Sequence, residues 1–168
     1  MEALAEAADV AKGTFFNYFE SKETLLGALL FERTQSLLDD PPGANLPVQD
    51  RIRALLEAVR DELSPYAHLF PRMFAYAVSH PQTSRPTAEH PALWHAIAAM
   101  VREGQEDGTF RDDLDPNVAG ALLASYFFRI SILECEFNED GQGFCWKDRV
   151  DSGLDILYRG LLSPDRAP

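Results

Sequence analysis

Apolar residues recur along this chain at helical spacing, interrupted by proline, glycine and short polar runs. Ile52, Leu55, Leu56, Val59 and Leu63 form an i, i+3, i+4, i+7 stripe, which predicts an amphipathic helix with one buried face. Leu26, Leu29, Leu30 and Leu37 predict an earlier helix from Lys22 to about Leu38, ended by Asp39-Asp40-Pro41-Pro42-Gly43. Tyr66 to Ser79 is apolar on nearly every side, the pattern of a buried helix, and Pro71 inside it should kink or break it. His80 to Pro91 reads as a loop, followed by a helix from about Ala92 to Asp107 with Leu93, Ile97 and Val101 inward. Asp115-Pro116, an N-cap followed by proline at the first helical position, opens a long helix to about Phe137. Asn138 to Gly143 is a polar turn, and Trp146, Val150, Leu154, Leu157 and Leu161 mark a last helix stopped by Ser163-Pro164. Nothing shows the period-two alternation of a strand, so the expected fold class is all-α. The loop ending at Pro47 is the expected boundary between a unit at residues 1–38 and a larger one at 47–163.

The densest local signal lies ahead of these helices. Glu2 to Ala8 is an alanine-rich helical run, and Asp9-Val10-Ala11 a tight connection. Lys12 to Phe19 then make one short helix, and Ser21 caps the longer one that opens with Lys22-Glu23. Two short helices joined by about three residues are a helix-turn-helix, whose second helix can enter a DNA major groove. Phe15 and Phe19 are four apart on one face and can pack on Leu4, Ala5 and Ala8, with Leu25 and Leu26 closing the same small core. Lys12 stands at the helix start, while Thr14 and Asn17 project away from the aromatic stripe. Gly13 removes a side chain where a backbone can approach a phosphate, and Asn17 has the chemistry to read an adenine edge. Lys22, beside the positive end of its own helix dipole, suits an anion. Phe15 and Phe19 are core; the clustering of the two lysines favours DNA over two unrelated solvated charges.

With K-G-T-F-F-N-Y-F-x-S-K-E-x-L-L at matching spacing, residues 3–26 resemble the tetracycline-repressor-like (TetR) family of bacterial regulators. The resemblance implies an all-helical regulator whose DNA contacts fall on Lys12, Gly13, Thr14, Phe16, Asn17, Tyr18 and Lys22. Three positions depart from the family pattern. Asp9 replaces a glycine in the turn, Ala11 replaces a capping serine, worth roughly 1 kcal/mol, and Phe16 replaces a tyrosine whose hydroxyl would meet phosphate. The resemblance further implies a helix before Glu2 that buries an apolar face and carries basic surface. Residues 1–26 hold two lysines against five acidic residues, a net of −3, so the chain as it starts at Met1 is expected to be a partial reader with DNA affinity near the non-specific floor. In the family, effector binding in the body shifts the helix at Lys22–Leu38 and changes the separation of paired recognition helices. The other reading is a dimeric ligand-binding or interaction module with an incomplete, non-functional reader.

The helix from Asp115 is apolar around most of its circumference, and one small bundle has too little surface to cover it. A homodimer through residues 118–134 and 150–162 is therefore expected, as the family also implies, with Phe127 and Leu157 as candidate interface residues. Composition restricts the rest. A net charge of −12 over 168 residues confines any DNA contact to a local patch. Cys135 and Cys145 fit no metal spacing or disulfide framework, which suits a reducing cytoplasm. No signal peptide is visible, and Val118 to Leu133, interrupted by Arg129, is too short to span a bilayer, so no membrane partner is expected.

Tyr66, His68, Met73, Tyr76, Trp94, Met100, Tyr126 and Arg129 mix apolar walls with polar tips, the make-up of a pocket for an apolar or aromatic effector. Taken singly, each ring also suits an ordinary core. Arg129, among Phe127, Phe128 and Ile130, must be paired if buried: by Glu134, by an acid of a dimer mate, or by an anionic ligand, a protein partner being favoured. His68, His80, His90 and His95 lack metal-ligand spacing, and there is neither a nucleophile elbow nor a phosphate-cradling loop. Neither a cofactor nor an enzyme activity is expected.

Overall fold

A computed structural model of the chain describes residues 2–19, 21–79, 89–139 and 145–162. Its helices are α1 (Glu2–Ala7), α2 (Lys12–Tyr18), α3 (Lys22–Asp39), α4 (Val48–Leu63), α5 (Phe70–Ser79), α6 (Glu89–Glu106), α7 (Pro116–Glu139) and α8 (Trp146–Leu161), with a 3-10 turn at Ser64–Leu69. The fold is all-α. The nearest approach to a sheet among the described residues is one antiparallel bridge between Phe110 and Leu162, which ties the α6–α7 connection to the end of α8.

Local chemistry accounts for the element boundaries. Ser21 caps α3 reciprocally: its hydroxyl accepts from the Thr24 amide, and the Thr24 hydroxyl accepts from the Ser21 amide, both at 3.1 Å. Ala11 provides no such cap for α2. Asp9 carries the turn between α1 and α2 with φ 53°, the left-handed conformation that aspartate tolerates better than most residues. Asp115 Oδ1 accepts from the Asn117 amide at 2.8 Å and starts α7.

The stretch Tyr66–Ser79 is not one helix, and none of its described side chains is fully buried. Proline lacks an N–H and its ring clashes with the carbonyl four residues back, so an α-helix cannot run through Pro71. The chain takes a 3-10 turn first, then begins α5 at Phe70 with Pro71 in its first turn, where the missing donor costs nothing. Val78 on α5 is 65% exposed. The helix expected from Ala92 begins earlier, at Glu89, and α7 runs two residues beyond Phe137, through Asn138 and Glu139. Residues 80–88 of the expected loop and 140–143 of the expected polar turn lie outside the described residues.

The core lies among α4, α6, α7 and α8. The α4 stripe buries Ile52, Leu55, Leu56, Val59 and Leu63, and Val48 extends it by a turn. Ile97, Met100 and Val101 of α6, Leu123 and Phe127 of α7, and Val150 and Leu154 of α8 complete it, each worth roughly 1.5–3 kcal/mol when fully buried if large and apolar. Phe127 is 2% exposed within its own subunit, which removes it as an interface residue, and Leu157 is half-buried against the same core. Among the described residues, the large apolar side chains left outward on the two helices are Val118, Leu122 and Ile156. By length and composition alone Pro116–Glu134 would suffice to cross a membrane, contrary to expectation; in the fold Ala119, Leu123, Ala124, Phe127 and Ile130 on it are buried core.

Candidate nucleic-acid interface and effector region

Residues of α1 and α2 form a small unit built on Phe15, whereas Leu26 at the start of α3, expected to close the same unit, packs against the main core. The Phe15 ring is 8% exposed and lies 5.5 Å from Phe19, centroid to centroid, while Ala5 of α1 is 2% exposed. The Val10 amide donates to the Ala5 carbonyl at 3.0 Å, closing the turn that sets α2 across α1. Anchoring Phe15 inward leaves the other side of α2 in solvent. Gly13, Thr14, Phe16, Asn17 and Tyr18 are all exposed, Tyr18 at 77%. No neighbour stands within 4 Å of a side chain built on Gly13, so the helix can approach another surface closely there. Lys12 opens α2, and its side chain lies outside the described residues. Lys22 is exposed at the first position of α3.

Next to Lys22 stands Glu23, whose carboxyl is held below the usual carboxylate range, chiefly by a backbone hydrogen bond at the helix start and further by Arg72. Arg72 Nε of α5 donates to Glu23 Oε1 at 3.0 Å. Farther along α3, Arg33 pairs with Glu62 of α4 at 3.2 Å and lies over the Tyr66 ring, 5.3 Å from its centroid. The body therefore grips α3 at both of these points. Sequence spacing carries no signal for either contact, since the paired residues are 49 and 29 positions apart.

The expected effector residues separate into three groups. Tyr66, Met73, Trp94 and Tyr126 are half-buried and pack against the core from the 3-10 turn, α5, α6 and α7, joined by Phe70 and Phe128, which the sequence reading did not single out. Tyr76 is half-buried one turn along α5 from Met73. Trp94 stacks on His95 at 5.4 Å, and its indole Nε1 is a buried donor with no acceptor among the described residues. The Tyr126 hydroxyl is already engaged, donating to the Arg149 carbonyl at 2.6 Å, and burial pushes that phenol up so that it stays a neutral donor. Met100 is a fully enclosed core residue at 2% exposure. His68 and Arg129 are exposed, so Arg129 poses no buried-charge problem, and Glu134 accepts from Arg60 Nη2 at 2.6 Å. Among the described residues no group of His, Cys, Asp and Glu has the arrangement of a metal site.

The family described as bacterial regulatory proteins of the tetR family matches residues 1–29. The chain is 29% identical to the HTH-type transcriptional repressor DhaR of Mycobacterium sp. (strain GP1), over 96% of this chain and 81% of that protein. It is 42% identical to the HTH-type transcriptional repressor KstR of Rhodococcus jostii (strain RHA1), over 46% of this chain and 39% of KstR. Among solved structures, the Thermus thermophilus repressor FadR in complex with lauroyl-CoA superposes with a TM-score of 0.67 at 26% identity, over 98% of this chain and 86% of that one. The regulatory protein TetR from Rhodobacter sphaeroides superposes with a TM-score of 0.66 at 17% identity, over 96% and 87%, and shares the fold.

Proposed function

We propose that this chain, which belongs to the TetR family of bacterial regulators, works in the cytoplasm as a homodimeric repressor released from operator DNA by a small apolar or aromatic molecule. DNA-binding regulation is common to its family and its repressor relatives. The observation that carries the reading onto particular residues is the two-sided α2: Phe15 is anchored inward, Asn17 and Tyr18 face outward, and Lys22 stands at the capped start of the next helix. A helix N-terminus and a lysine together suit a phosphate, and the exposed face of α2 suits base edges. Residues 1–38 form the reader with its connecting helix, and 47–163 the dimerising, effector-binding body. The segments that grip α3, the 3-10 turn with Tyr66 and α5 with Arg72, also carry the candidate effector contacts Tyr66, Met73 and Tyr76. An effector that moves them moves α3, and with it the spacing of the two readers. Coupling of 1–3 kcal/mol, typical of such linkage, is enough to lower operator affinity about 5- to 150-fold.

Gel-shift titration of the protein on DNA flanking its gene tests the reader. Lys22→Ala should weaken binding across sequences and reduce the salt slope by about one per reader, whereas Asn17→Ala should change sequence preference. DNA left unshifted both by this protein and by a form with a basic amphipathic helix added ahead of Glu2 would refute the repressor reading.

The effector region has its own test. Trp94 Nε1, a buried donor with no acceptor among the described residues, suits an acceptor on a bound molecule. Lauroyl-CoA, the molecule bound by the FadR neighbour, is a direct first probe because it joins an apolar chain to a carbonyl. Binding of an effector should change indole fluorescence, and Trp94→Phe should weaken it by about 1–3 kcal/mol, the usual cost of a lost buried hydrogen bond. If a panel of acyl and aromatic compounds neither changes the fluorescence nor shifts the DNA complex, these residues are core and nothing more.

A further inference from the structure

The ion pair between Arg72 and Glu23 joins an effector-side helix to the first turn of the DNA-side helix. Glu23 is the acidic residue in the first turn of α3, immediately after Lys22. Its side chain is 16% exposed, whereas that of Arg72 is 75% exposed, so the carboxylate is enclosed while the guanidinium lies in solvent above it. A phosphate approaching Lys22 meets three charges: the attracting lysine, the opposing carboxylate, and the guanidinium that offsets the carboxylate. With Arg72 in place the group carries one net positive charge; with Arg72 withdrawn it carries none. Carboxylate and phosphate compete for the same positive helix end, so this difference falls where the helix dipole is felt most. The 3-10 turn before α5 and Pro71 in its first turn separate it from α4 as a short unit. Met73 follows Arg72 directly, and Tyr76 lies one turn on.

We propose that Arg72 screens Glu23 and so sets how strongly the first turn of α3 attracts a DNA phosphate, making the placement of α5 an electrostatic control on the DNA reader. This rests on the DNA-binding reading above and adds a charge-based control to it. Arg72 acts through Glu23 as a positioning residue and does not touch DNA.

The test is a double-mutant cycle on the full-length protein, read as affinity for the DNA flanking its gene at several salt concentrations, with thermal midpoints as a check on folding. Arg72→Ala should weaken binding about two- to fivefold per reader at low salt, the size of a charge effect at a helix end, and by less as salt rises. Glu23→Gln should bind at least as tightly as wild type, and adding Arg72→Ala to it should change nothing further. Arg72→Lys should keep most of the wild-type affinity. Unchanged affinity in Arg72→Ala overturns the proposal. So does an equal loss with and without Glu23, which would make Arg72 a direct phosphate contact. A wild-type protein that binds no DNA removes the reader itself, and that outcome is distinguishable because it precedes any comparison of variants.

Discussion

Ile156→Asp is expected to leave a folded monomer that no longer holds operator DNA at concentrations where the wild type is fully bound. Ile156 on α8 is 70% exposed, and Val118 and Leu122 on α7 are 56% and 55% exposed, so these side chains contribute almost nothing to the subunit's own core. Large apolar residues left outward on two adjacent helices are the natural seam of a twofold bundle. A carboxylate placed there must be desolvated on association, which costs several kcal/mol without a partner. The fold should survive because the substitution is made in solvent, unlike one at Phe127, where a charge would enter the core. The loss on DNA is larger than the loss at the interface, because a linked pair of readers gains about 10²- to 10⁴-fold over one reader through effective concentration. Light scattering and gel shift together measure this. A wild-type monomer at micromolar concentration would overturn the homodimer, and an Ile156→Asp protein that remains a DNA-binding dimer would place the seam elsewhere.

Gly120→Val should produce the largest loss of stability from a small change. Gly120 lies on α7 where that helix crosses α6, and a Cβ there would stand 2.7 Å from the Trp94 carbonyl oxygen and 2.9 Å from the Ala98 amide nitrogen. Both are backbone atoms and cannot rotate aside, so the two helices must separate. Overpacking of this kind costs about 1–3 kcal/mol, with a β-branched side chain toward the upper end. For a protein of this size that is a fall of roughly 6–12 °C in Tm at the upper end. Gly13→Ala is the control: nothing lies within 4 Å of its Cβ, so the midpoint should hold or rise slightly. If Gly120→Val melts like wild type, α6 and α7 are not as closely packed as described. Because Trp94 provides the blocking carbonyl, the same substitution should also disturb indole fluorescence.

The local structure of residues 2–26 was legible from sequence, for a physical reason. Its determinants are local: the i, i+4 pair Phe15 and Phe19, the Ser21 cap and the aspartate at a turn needing positive φ all act within a few positions. Depth among the expected effector residues was legible only in part. Composition picked out Tyr66, Met73, Trp94 and Tyr126, which share the half-buried layer on the core, but could not separate them from Met100, which is enclosed, or from Arg129, which is exposed. Phe70 and Phe128 were passed over because an aromatic residue beside others carries no sign of depth.

By itself the sequence determined the all-α class, the order of the helices, the break before Pro71 and the inward face of α4, since periodicity, capping and proline geometry are properties of neighbours along the chain. Tertiary structure alone decided which side of α7 is core. That helix is apolar nearly all round, so only packing against α6 and α8 turns Phe127 inward and leaves Leu122 out. It also decided which charges meet: Arg72 with Glu23, Arg33 with Glu62, Arg60 with Glu134. Ion pairs between distant segments depend on where helices cross, and no spacing in the chain encodes that position.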